Sequence, residues 1–504
     1  MDVTSLTATW RWNDNGNEVA PEVVRLRKML SASKLIHPFL LDDKTTVANF
    51  RDLASAYAQC CGLSVDKASS HSEELAQQLG GIERQHIVLI LCDGMGNSIL
   101  NRHLSDKKAF LHRFNQPFKL RSVFPSTTPA ALTTLATAQW PGQHGVPGWD
   151  LREVLGCEYP GEPQDTVQLR VLSNKITDAR TGNPTCTPWD DVFLAKPWAR
   201  SIRQNRAMRQ MIYINAYNQG NETKEKITEG SDFSSWQMGG VSNGDPFQSA
   251  KIGETVAATL GEPEGSEAAI QYFADGIDAA LSAIADAESQ NKKSFVYLYT
   301  AHPDKHMHAL GTEHSEVEAV VKGLNDQIER LWTSLRNRKT FLREHGKDCD
   351  TQDEELAVDA TVVVTADHGH ITVQPDEMIQ LPESISECLE YANIGVHGKG
   401  RHAYLHCKAG LQSILRERWR SNPPLNNSFL LLTIEEAAAH SLFGPEAPLL
   451  KVRPRLGDFV AIATRHATLV SPKESAAHSH HCQGAHGSLL PEEMEIPFVL
   501  CTPV

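Results

Sequence analysis

The chain has 504 residues, enough for one large α/β domain with insertions or for more than one domain of ordinary size. It is acidic, with 62 Asp and Glu residues against 48 Lys and Arg residues and a formal net charge of −14. Binding of a nucleic-acid polymer depends on clustered lysine and arginine, so this charge argues against such a partner. A small phosphorylated substrate remains compatible with it.

The first twenty residues lack a basic segment followed by an apolar run, and no uninterrupted apolar stretch is long enough to span a membrane. The ten cysteines are scattered and form no C-x-x-C pair, which favours free thiols over disulfides or a cysteine zinc site. We therefore expect a cytoplasmic protein without a membrane partner. The oligomeric state is left open.

Residues 1–85 have mixed, moderately helical sequence without recognisable chemistry, and we interpret them as an accessory segment of the main domain. The first part of the core is expected at 86–375. It begins with His86–Cys92, an aliphatic run typical of a central parallel strand. Asp93 follows this strand, where ligands bind in open α/β sheets, although an Asp-Gly pair after a strand is also a common turn.

Residues 124–149 begin as a hydroxyl-rich turn and continue as a helix of small residues. Backbone N–H groups at a helix N-terminus lack intrahelical partners and carry partial positive charge, so a hydroxyl there is well placed to meet a phosphate. Thr127 and Thr128 are the candidate nucleophiles. The alternative is that Ser126 or one of these threonines only caps the helix, with Pro129 in its first turn.

Residues 150–290 are irregular and polar until a helical pattern near 267–287, and we expect loops and short elements that border a site. A second buried strand is predicted at Ser294–Thr300. Asp304 and His308 follow it. Their separation of four residues places a carboxylate and an imidazole on one face of a helical turn, a usable spacing for a metal.

A long amphipathic helix predicted at 315–344 leads to a third buried strand at 360–366, which is followed by Asp367 and His368. Three hydrophobic strands thus each deliver an acidic or imidazole side chain at their carboxyl ends. We interpret His306 and His370, next to these candidates, as residues that orient the metal ligands or face solvent.

Residues 376–470 alternate strand and helix patterns, which predicts a small inserted α/β cap. The final part of the core is expected at 471–504. It carries His486 in a glycine-flanked loop before a last strand, whereas the histidines within 478–481 are interpreted as part of a solvated loop.

Five separated motifs resemble the alkaline phosphatase superfamily and, within it, the type I phosphodiesterase/nucleotide pyrophosphatase group. In chain order they are Asp93-Gly after a strand, Phe124-Pro-Ser-Thr-Thr128 with Pro141-Gly-Gln-His-Gly145, Pro303-Asp304 with His308, Thr365-Ala-Asp367-His368, and Gly484-Ala-His486-Gly. The resemblance spans about residues 86–504. It implies an alkaline-phosphatase-like α/β fold with a mostly parallel central sheet flanked by helices.

Carried over residue by residue, the resemblance implies two catalytic divalent metal ions. They would be zinc or manganese, because oxygen and nitrogen ligands suit both metals. Asp304, His308 and His486 would hold one ion. Asp93, Asp367 and His368 would hold the other, with Thr128 beside it. The metal would convert the Thr128 hydroxyl into a nucleophile that takes the phosphoryl group, and water would then hydrolyse the phosphothreonine.

Two residues depart from the family pattern. Met307 stands where many members have glycine, a change expected to affect core contacts more than ligation. Trp149 stands where the diesterases carry an asparagine that hydrogen-bonds a phosphoryl oxygen. We interpret Trp149 as a candidate surface for stacking on a substrate base, with a loop anchor as the alternative.

The resemblance predicts a metal-dependent phosphoric ester hydrolase of the phosphodiesterase/nucleotide pyrophosphatase type. A phosphonate hydrolase that breaks a carbon–phosphorus bond, such as phosphonoacetate hydrolase, and a phosphomonoesterase are the alternatives. A metal-binding protein without catalytic activity is the alternative from another functional class. The complete set of candidate metal ligands argues against it. No arginine lies between Ser122 and Asp150, which favours a diester because the second charge of a monoester calls for a further cation.

Overall fold

The computed structural model describes residues 19–118, 120–155, 165–170, 175–178, 193–202, 209–216, 248–249, 265–347, 356–390, 396–397, 400–470 and 483–502. Within these ranges no helix combines the length and the apolar character needed to cross a membrane. The first 18 residues of the predicted accessory segment and the histidines within 478–481 lie outside them.

The described strands, in chain order, are β1 (His86–Cys92), β2 (Leu120–Arg121), β3 (Asp150–Leu155), β4 (Asp165–Arg170), β5 (Lys175–Asp178), β6 (Gln210–Asn215), β7 (Gln248–Ser249), β8 (Ser294–Thr300), β9 (Ala360–Thr365), β10 (Ile371–Thr372), β11 (Met378–Gln380), β12 (Val396–His397), β13 (His402–Leu405), β14 (Phe429–Thr433), β15 (Phe459–Ala463), β16 (Thr468–Val470), β17 (Gly484–Ala485), β18 (Glu495–Ile496) and β19 (Val499–Cys501). The described α-helices span Pro21–Ser31, Phe50–Cys60, Ser70–Gln78, Asn97–His103, Phe110–Phe114, Thr128–Thr137, Pro141–His144, Ala199–Ile202, Ser266–Ser289, Asp304–Leu310, Ser315–Leu335, Arg338–Glu344, Glu383–Ser386, Gln412–Arg420, Pro423–Ser428, Ile434–Ala439, Arg453–Leu456 and Pro491–Met494.

A six-stranded sheet of order β19-β9-β1-β8-β6-β7 lies at the centre of the fold. Strand β1 pairs in parallel with β8 and β9, and β6 pairs in parallel with β8 and β7, whereas the edge strand β19 runs antiparallel to β9. Every residue of β1 and β9 is buried, as expected for parallel strands covered on both faces. The predicted α/β fold with a mostly parallel central sheet is confirmed.

Two details of the chain differ from the sequence analysis. Strand β6 lies in the region expected to hold loops and short elements that border a site, yet it is an internal strand of the central sheet. The helix predicted at 315–344 is two helices, because the Asn337 side chain accepts a hydrogen bond from the Thr340 N–H at 2.8 Å and so starts the second one.

A second, antiparallel sheet of order β12-β13-β15-β14 lies within the segment predicted as an inserted cap. Side chains alternate along β14, so Leu431 packs in a cluster with Trp419, whereas Leu430 packs in a cluster with Leu26 of the helix Pro21–Ser31. The N-terminal segment therefore covers one face of this sheet. The boundaries 376 and 470 stay a prediction.

The register of the central sheet determines where the site forms. Cys92 at the end of β1 pairs with Thr300 at the end of β8, and Leu91 pairs with Thr365 at the end of β9. The three chain segments that follow these strands therefore leave the sheet at the same edge, where ligands bind in open α/β sheets.

Candidate active site

Three aspartates meet at this carboxyl edge of the sheet. Asp93 directly follows β1, Asp367 lies two residues after β9, and Asp304 opens the helix Asp304–Leu310 after β8. The backbone N–H of Asp304 donates to the Asp93 carbonyl at 3.0 Å, which holds the first two segments together. All three side chains are buried.

The candidate nucleophile lies at the start of the helix Thr128–Thr137. Thr127 occupies the N-cap position but forms no side-chain capping bond, and the Ser126 hydroxyl donates to the Ser488 carbonyl at 2.7 Å instead. The capping interpretation is therefore wrong for both residues. The Thr128 hydroxyl oxygen lies 3.1 Å from Nε2 of His368.

Four imidazoles surround the aspartates, and each places Nδ1 within hydrogen-bonding distance of a backbone carbonyl. The pairs are His308 with Gly484 (2.9 Å), His368 with Gly369 (3.0 Å), His370 with Ile371 (3.2 Å) and His486 with Ser126 (2.9 Å). A carbonyl only accepts, so Nδ1 carries the proton, and the neutral ring then presents the lone pair of Nε2. This arrangement is typical of metal-binding histidines.

The first group of candidate ligands surrounds Asp304. Nε2 of His308 lies 3.3 Å from Asp304 Oδ2 and 3.2 Å from Nε2 of His486, which itself lies 3.7 Å from Asp304 Oδ1. Nε2 of His370 lies 3.2 Å from Asp304 Oδ1. The ligand atoms of these four residues all lie within 4.8 Å of one another.

The second group surrounds His368, whose Nε2 lies 3.4 Å from Asp93 Oδ1 and 3.3 Å from Asp367 Oδ2. The Tyr299 hydroxyl donates to Asp93 Oδ2 at 2.6 Å. Asp304 lies between the two groups, because its carboxylate is also within 4.8 Å of the ligand atoms of Asp93 and His368. The sequence analysis assigned Asp304 to one group alone.

Sequence reasoning missed Tyr299 and left two roles open for His370, which was expected to orient the metal ligands or to face solvent. Tyr299 was read only as part of a strand, although its hydroxyl contacts Asp93. His370 is 2% exposed, so the expectation that it faces solvent is wrong. The same holds for His306, which is buried with its Nδ1 3.0 Å from Nδ1 of His302. The pattern His-Gly-His was the available signal for His370.

The buried polar atoms of the site fit positively charged metal ions. Asp93 Oδ1, Asp304 Oδ1, Asp367 Oδ2 and His370 Nε2 are buried and form no hydrogen bond. Burial raises the pKa of Asp93 well above its ordinary value, and the charges of Asp367 and Asp304 raise it further. Burial likewise raises the pKa of Asp367 to about 7. Closely spaced buried carboxylates of this kind are stabilised by bound cations.

Trp149 lies in a loop that contacts the second sheet. It is half-buried, and the neighbouring Pro147 carbonyl accepts a hydrogen bond from the Tyr404 hydroxyl at 3.0 Å. His144 joins this loop to the nucleophile helix, because its Nε2 lies 3.1 Å from the Thr134 hydroxyl and its Nδ1 accepts from the Val146 N–H. The stacking role of Trp149 stays a prediction.

The fold and the buried clusters of aspartate and histidine define an alkaline-phosphatase-like α/β protein with a candidate metal centre. The chain belongs to the type I phosphodiesterase/nucleotide pyrophosphatase family, whose family model matches residues 87–489, and it is a hydrolase of that kind. The resemblance found in the sequence is thereby confirmed.

Two solved structures are similar to this chain at low sequence identity. Phosphonoacetate hydrolase from Sinorhizobium meliloti 1021 in complex with phosphonoacetate has a TM-score of 0.51 at 16% identity, over 84% of this chain and 91% of that one. Murine ectonucleotide pyrophosphatase/phosphodiesterase 5 has a TM-score of 0.49 at 15% identity, over 83% of this chain and 88% of that one. A search of curated proteins found no match.

Proposed function

We propose that this protein hydrolyses phosphodiesters, including nucleotide pyrophosphate or nucleotide diester bonds, with Thr128 as the nucleophile and two divalent metal ions as cofactors. The observation that carries this proposal is the position of Thr128, at a helix start and 3.1 Å from Nε2 of His368. A hydroxyl in this position lies beside candidate metal ligands and at the positive end of a helix, where an anionic phosphoryl group is stabilised.

The residues around Thr128 have distinct proposed roles. Asp93, Asp367 and His368 would hold one ion, and Asp304, His308 and His486 the other. The ions, zinc or manganese, would supply positive charge that favours the ionised hydroxyl and stabilises the phosphoryl oxygens. Backbone carbonyls orient the imidazoles, and the Tyr299 hydroxyl orients Asp93.

The reaction proceeds in two displacements. Thr128 Oγ1 gives its proton to water and forms a bond to phosphorus, while the bond from phosphorus to the leaving oxygen breaks and that oxygen departs with the electron pair. Water then attacks the phosphothreonine, the bond between phosphorus and Oγ1 breaks, Oγ1 takes up a proton, and the phosphate monoester is released. The helix Thr128–Thr137 is buried along its whole length, which holds the nucleophile in a fixed position for both displacements.

Charge supports a diester as the substrate. Arg121, the arginine adjacent to the nucleophile motif, donates to the carbonyls of His37 at 2.8 Å and Leu40 at 2.6 Å. Its guanidinium group therefore binds the N-terminal segment. A diester carries one negative charge and needs room for a second substituent, which Trp149 would contact as a stacking surface. The acidic net charge supports a small substrate over a nucleic-acid polymer.

A panel of substrates tests the function. The zinc-loaded and manganese-loaded protein is assayed with bis-p-nitrophenyl phosphate, p-nitrophenyl phosphate, a nucleotide pyrophosphate and phosphonoacetate. We expect a higher kcat/KM for the diester than for the matched monoester, and no release of acetate from phosphonoacetate. A preference for the monoester or for phosphonoacetate would replace the proposed function with the corresponding alternative.

We also propose that the protein works in the cytoplasm. The cysteines at 60, 61, 92, 388, 407 and 501 are buried free thiols, a state that a reducing compartment preserves. Cell fractionation that recovers the protein outside the cytoplasm would contradict this.

A further inference from the structure

We infer that His370 is a fourth protein ligand of the metal ion held by Asp304, His308 and His486, so that this site has three imidazoles and one carboxylate. The inference rests on the metal binding of the proposed function and adds a ligand to it. It assigns a role to a side chain that is 2% exposed and whose Nε2 forms no hydrogen bond.

The orientation of the His370 ring matches that of its two neighbours. Its Nδ1 donates to the Ile371 carbonyl at 3.2 Å, as Nδ1 of His308 donates to Gly484 and Nδ1 of His486 to Ser126. In all three rings the backbone therefore fixes the proton on Nδ1 and leaves the Nε2 lone pair for a ligand bond.

One ligand atom from each of the four residues lies within 4.8 Å of the others, as ligands of a common ion require. Zinc–nitrogen bonds of about 2.0–2.1 Å in a tetrahedral site place neighbouring ligand atoms about 3.3–3.4 Å apart. His370 Nε2 lies 3.2 Å and His486 Nε2 3.7 Å from Asp304 Oδ1, whereas His308 Nε2 lies 3.3 Å from Asp304 Oδ2 and 3.2 Å from His486 Nε2. His370 is thus as close to the Asp304 carboxylate as the two predicted histidine ligands are.

The contact between His370 Nε2 and Asp304 Oδ1 brings two buried lone pairs together when Nδ1 of His370 carries the proton. The two atoms are 3.2 Å apart, yet neither His370 Nε2 nor Asp304 Oδ1 forms a hydrogen bond. With the proton on Nδ1, both atoms are acceptors, and two buried acceptors at this distance repel each other. A cation between them converts the repulsion into two bonds.

Gly484 leaves the space that the His370 ring occupies. A Cβ atom at Gly484 would lie 2.6 Å from Cε1 of His370 and 2.3 Å from the Met307 carbonyl oxygen. The same glycine accepts the hydrogen bond from Nδ1 of His308. One residue without a side chain therefore positions two of the three imidazoles.

With His370 as a ligand, the two metal sites differ in the kinds of ligand they offer. The Asp304 site then has three imidazoles and one carboxylate, whereas the His368 site has one imidazole, two carboxylates and the Thr128 hydroxyl. Four protein ligands complete a tetrahedron, so an ion that also contacts substrate there must be five-coordinate.

Anomalous diffraction at the zinc edge from crystals of the zinc-loaded protein tests the inference directly. We expect His370 Nε2 at about 2.0–2.1 Å from an ion that also contacts Asp304, His308 and His486. An ion bound to those three residues, with His370 Nε2 beyond about 3 Å, would overturn the inference and leave the proposed function intact. The absence of any ion there would instead contradict the proposed function.

Cobalt substitution gives a second readout in solution. The visible absorption of Co²⁺ depends on the ligands that coordinate the ion. Replacing a ligand therefore changes the spectrum, whereas loss of a residue that only orients a ligand lowers the affinity for the ion. We expect His370→Ala to change the Co²⁺ spectrum and added imidazole to restore it. His103→Ala is the control, because His103 is a buried histidine that contacts the Thr312 carbonyl. Identical spectra for His370→Ala and the wild type would overturn the inference.

Discussion

The hydroxyl oxygen of Thr128 lies 3.1 Å from Nε2 of His368, although 240 positions separate the two residues in the chain. Both side chains are buried; Thr128 begins the helix Thr128–Thr137, and His368 follows the strand β9. The segment before the helix is held at the carboxyl end of β9, because the Ser122 hydroxyl donates to the Asp367 carbonyl.

The first prediction concerns the choice between the two threonines. Thr128→Ala should lower kcat by at least roughly 10³-fold, because the atom that bonds to phosphorus is removed. Thr128→Ser should retain part of the rate, and Thr127→Ala should lose less than Thr128→Ala. Metal content and melting temperature, measured alongside, should change little. An inactive Thr127→Ala with an active Thr128→Ala would show that the nucleophile is Thr127.

The second prediction concerns pH and metal removal. The folded-state pKa of Asp367 is raised to about 7, mainly by burial, so in the metal-free protein its stabilising contribution is present below the unfolded pKa near 3.8 and is lost as pH rises through 7. The melting temperature of the chelated protein should therefore fall between pH 5 and pH 8, and zinc should restore it at pH 8.

Asp367→Asn is the control for this effect, because it removes the titrating group at nearly constant size. Its metal-free melting temperature should depend less on pH across the same range. An equal dependence in both proteins would show that other groups determine the stability of the metal-free state.

The third prediction concerns Tyr299. Tyr299→Phe removes the hydroxyl that donates to Asp93 Oδ2 at 2.6 Å, and loss of such an orienting bond typically costs about 10–100-fold in metal affinity or activity. Tyr297→Phe, on the same strand, should cost less. Equilibrium dialysis against a zinc buffer, with kcat measured at saturating metal, separates the two effects. Equal behaviour of the two variants would remove Tyr299 from the site.

The fourth prediction concerns Gly484. Gly484→Ala should weaken zinc binding at the Asp304 site, because the added Cβ would lie 2.3 Å from the Met307 carbonyl oxygen and 2.6 Å from the His370 ring. Gly265→Ala is the matched control, since a Cβ there meets nothing within 4 Å and its backbone φ is −57°. Unchanged zinc stoichiometry and affinity in Gly484→Ala would show that the loop adapts.

The sequence predicted those parts of the fold and the site that local patterns specify. The aliphatic runs of β1, β8 and β9 identify buried parallel strands, and the polar residues that follow them are the ones that meet in space. Strand β6 was missed because its six residues, QMIYIN, lie in a long polar region and become a strand through pairing with β8.

Tyr299, which was missed, and His370, whose role was left open, show a different limit. Tyr299 is one strand away from Asp93, so their contact depends on the register between β8 and β1 and on the face to which the tyrosine points. His370 lies beside Asp304 because β10, which directly follows it, pairs with β17, and because Gly484 of β17 leaves space for the ring. Neither condition can be read from the spacing of residues in the chain.

Trapping the covalent intermediate tests the central claim most directly. The zinc-loaded protein is mixed with a substrate, quenched in acid within the first turnover and digested for mass spectrometry. The proposed mechanism predicts a phosphoryl adduct on Thr128, absent from Thr128→Ala and formed again on the serine of Thr128→Ser. Turnover without an adduct at any time point, or an adduct on another residue, would contradict it.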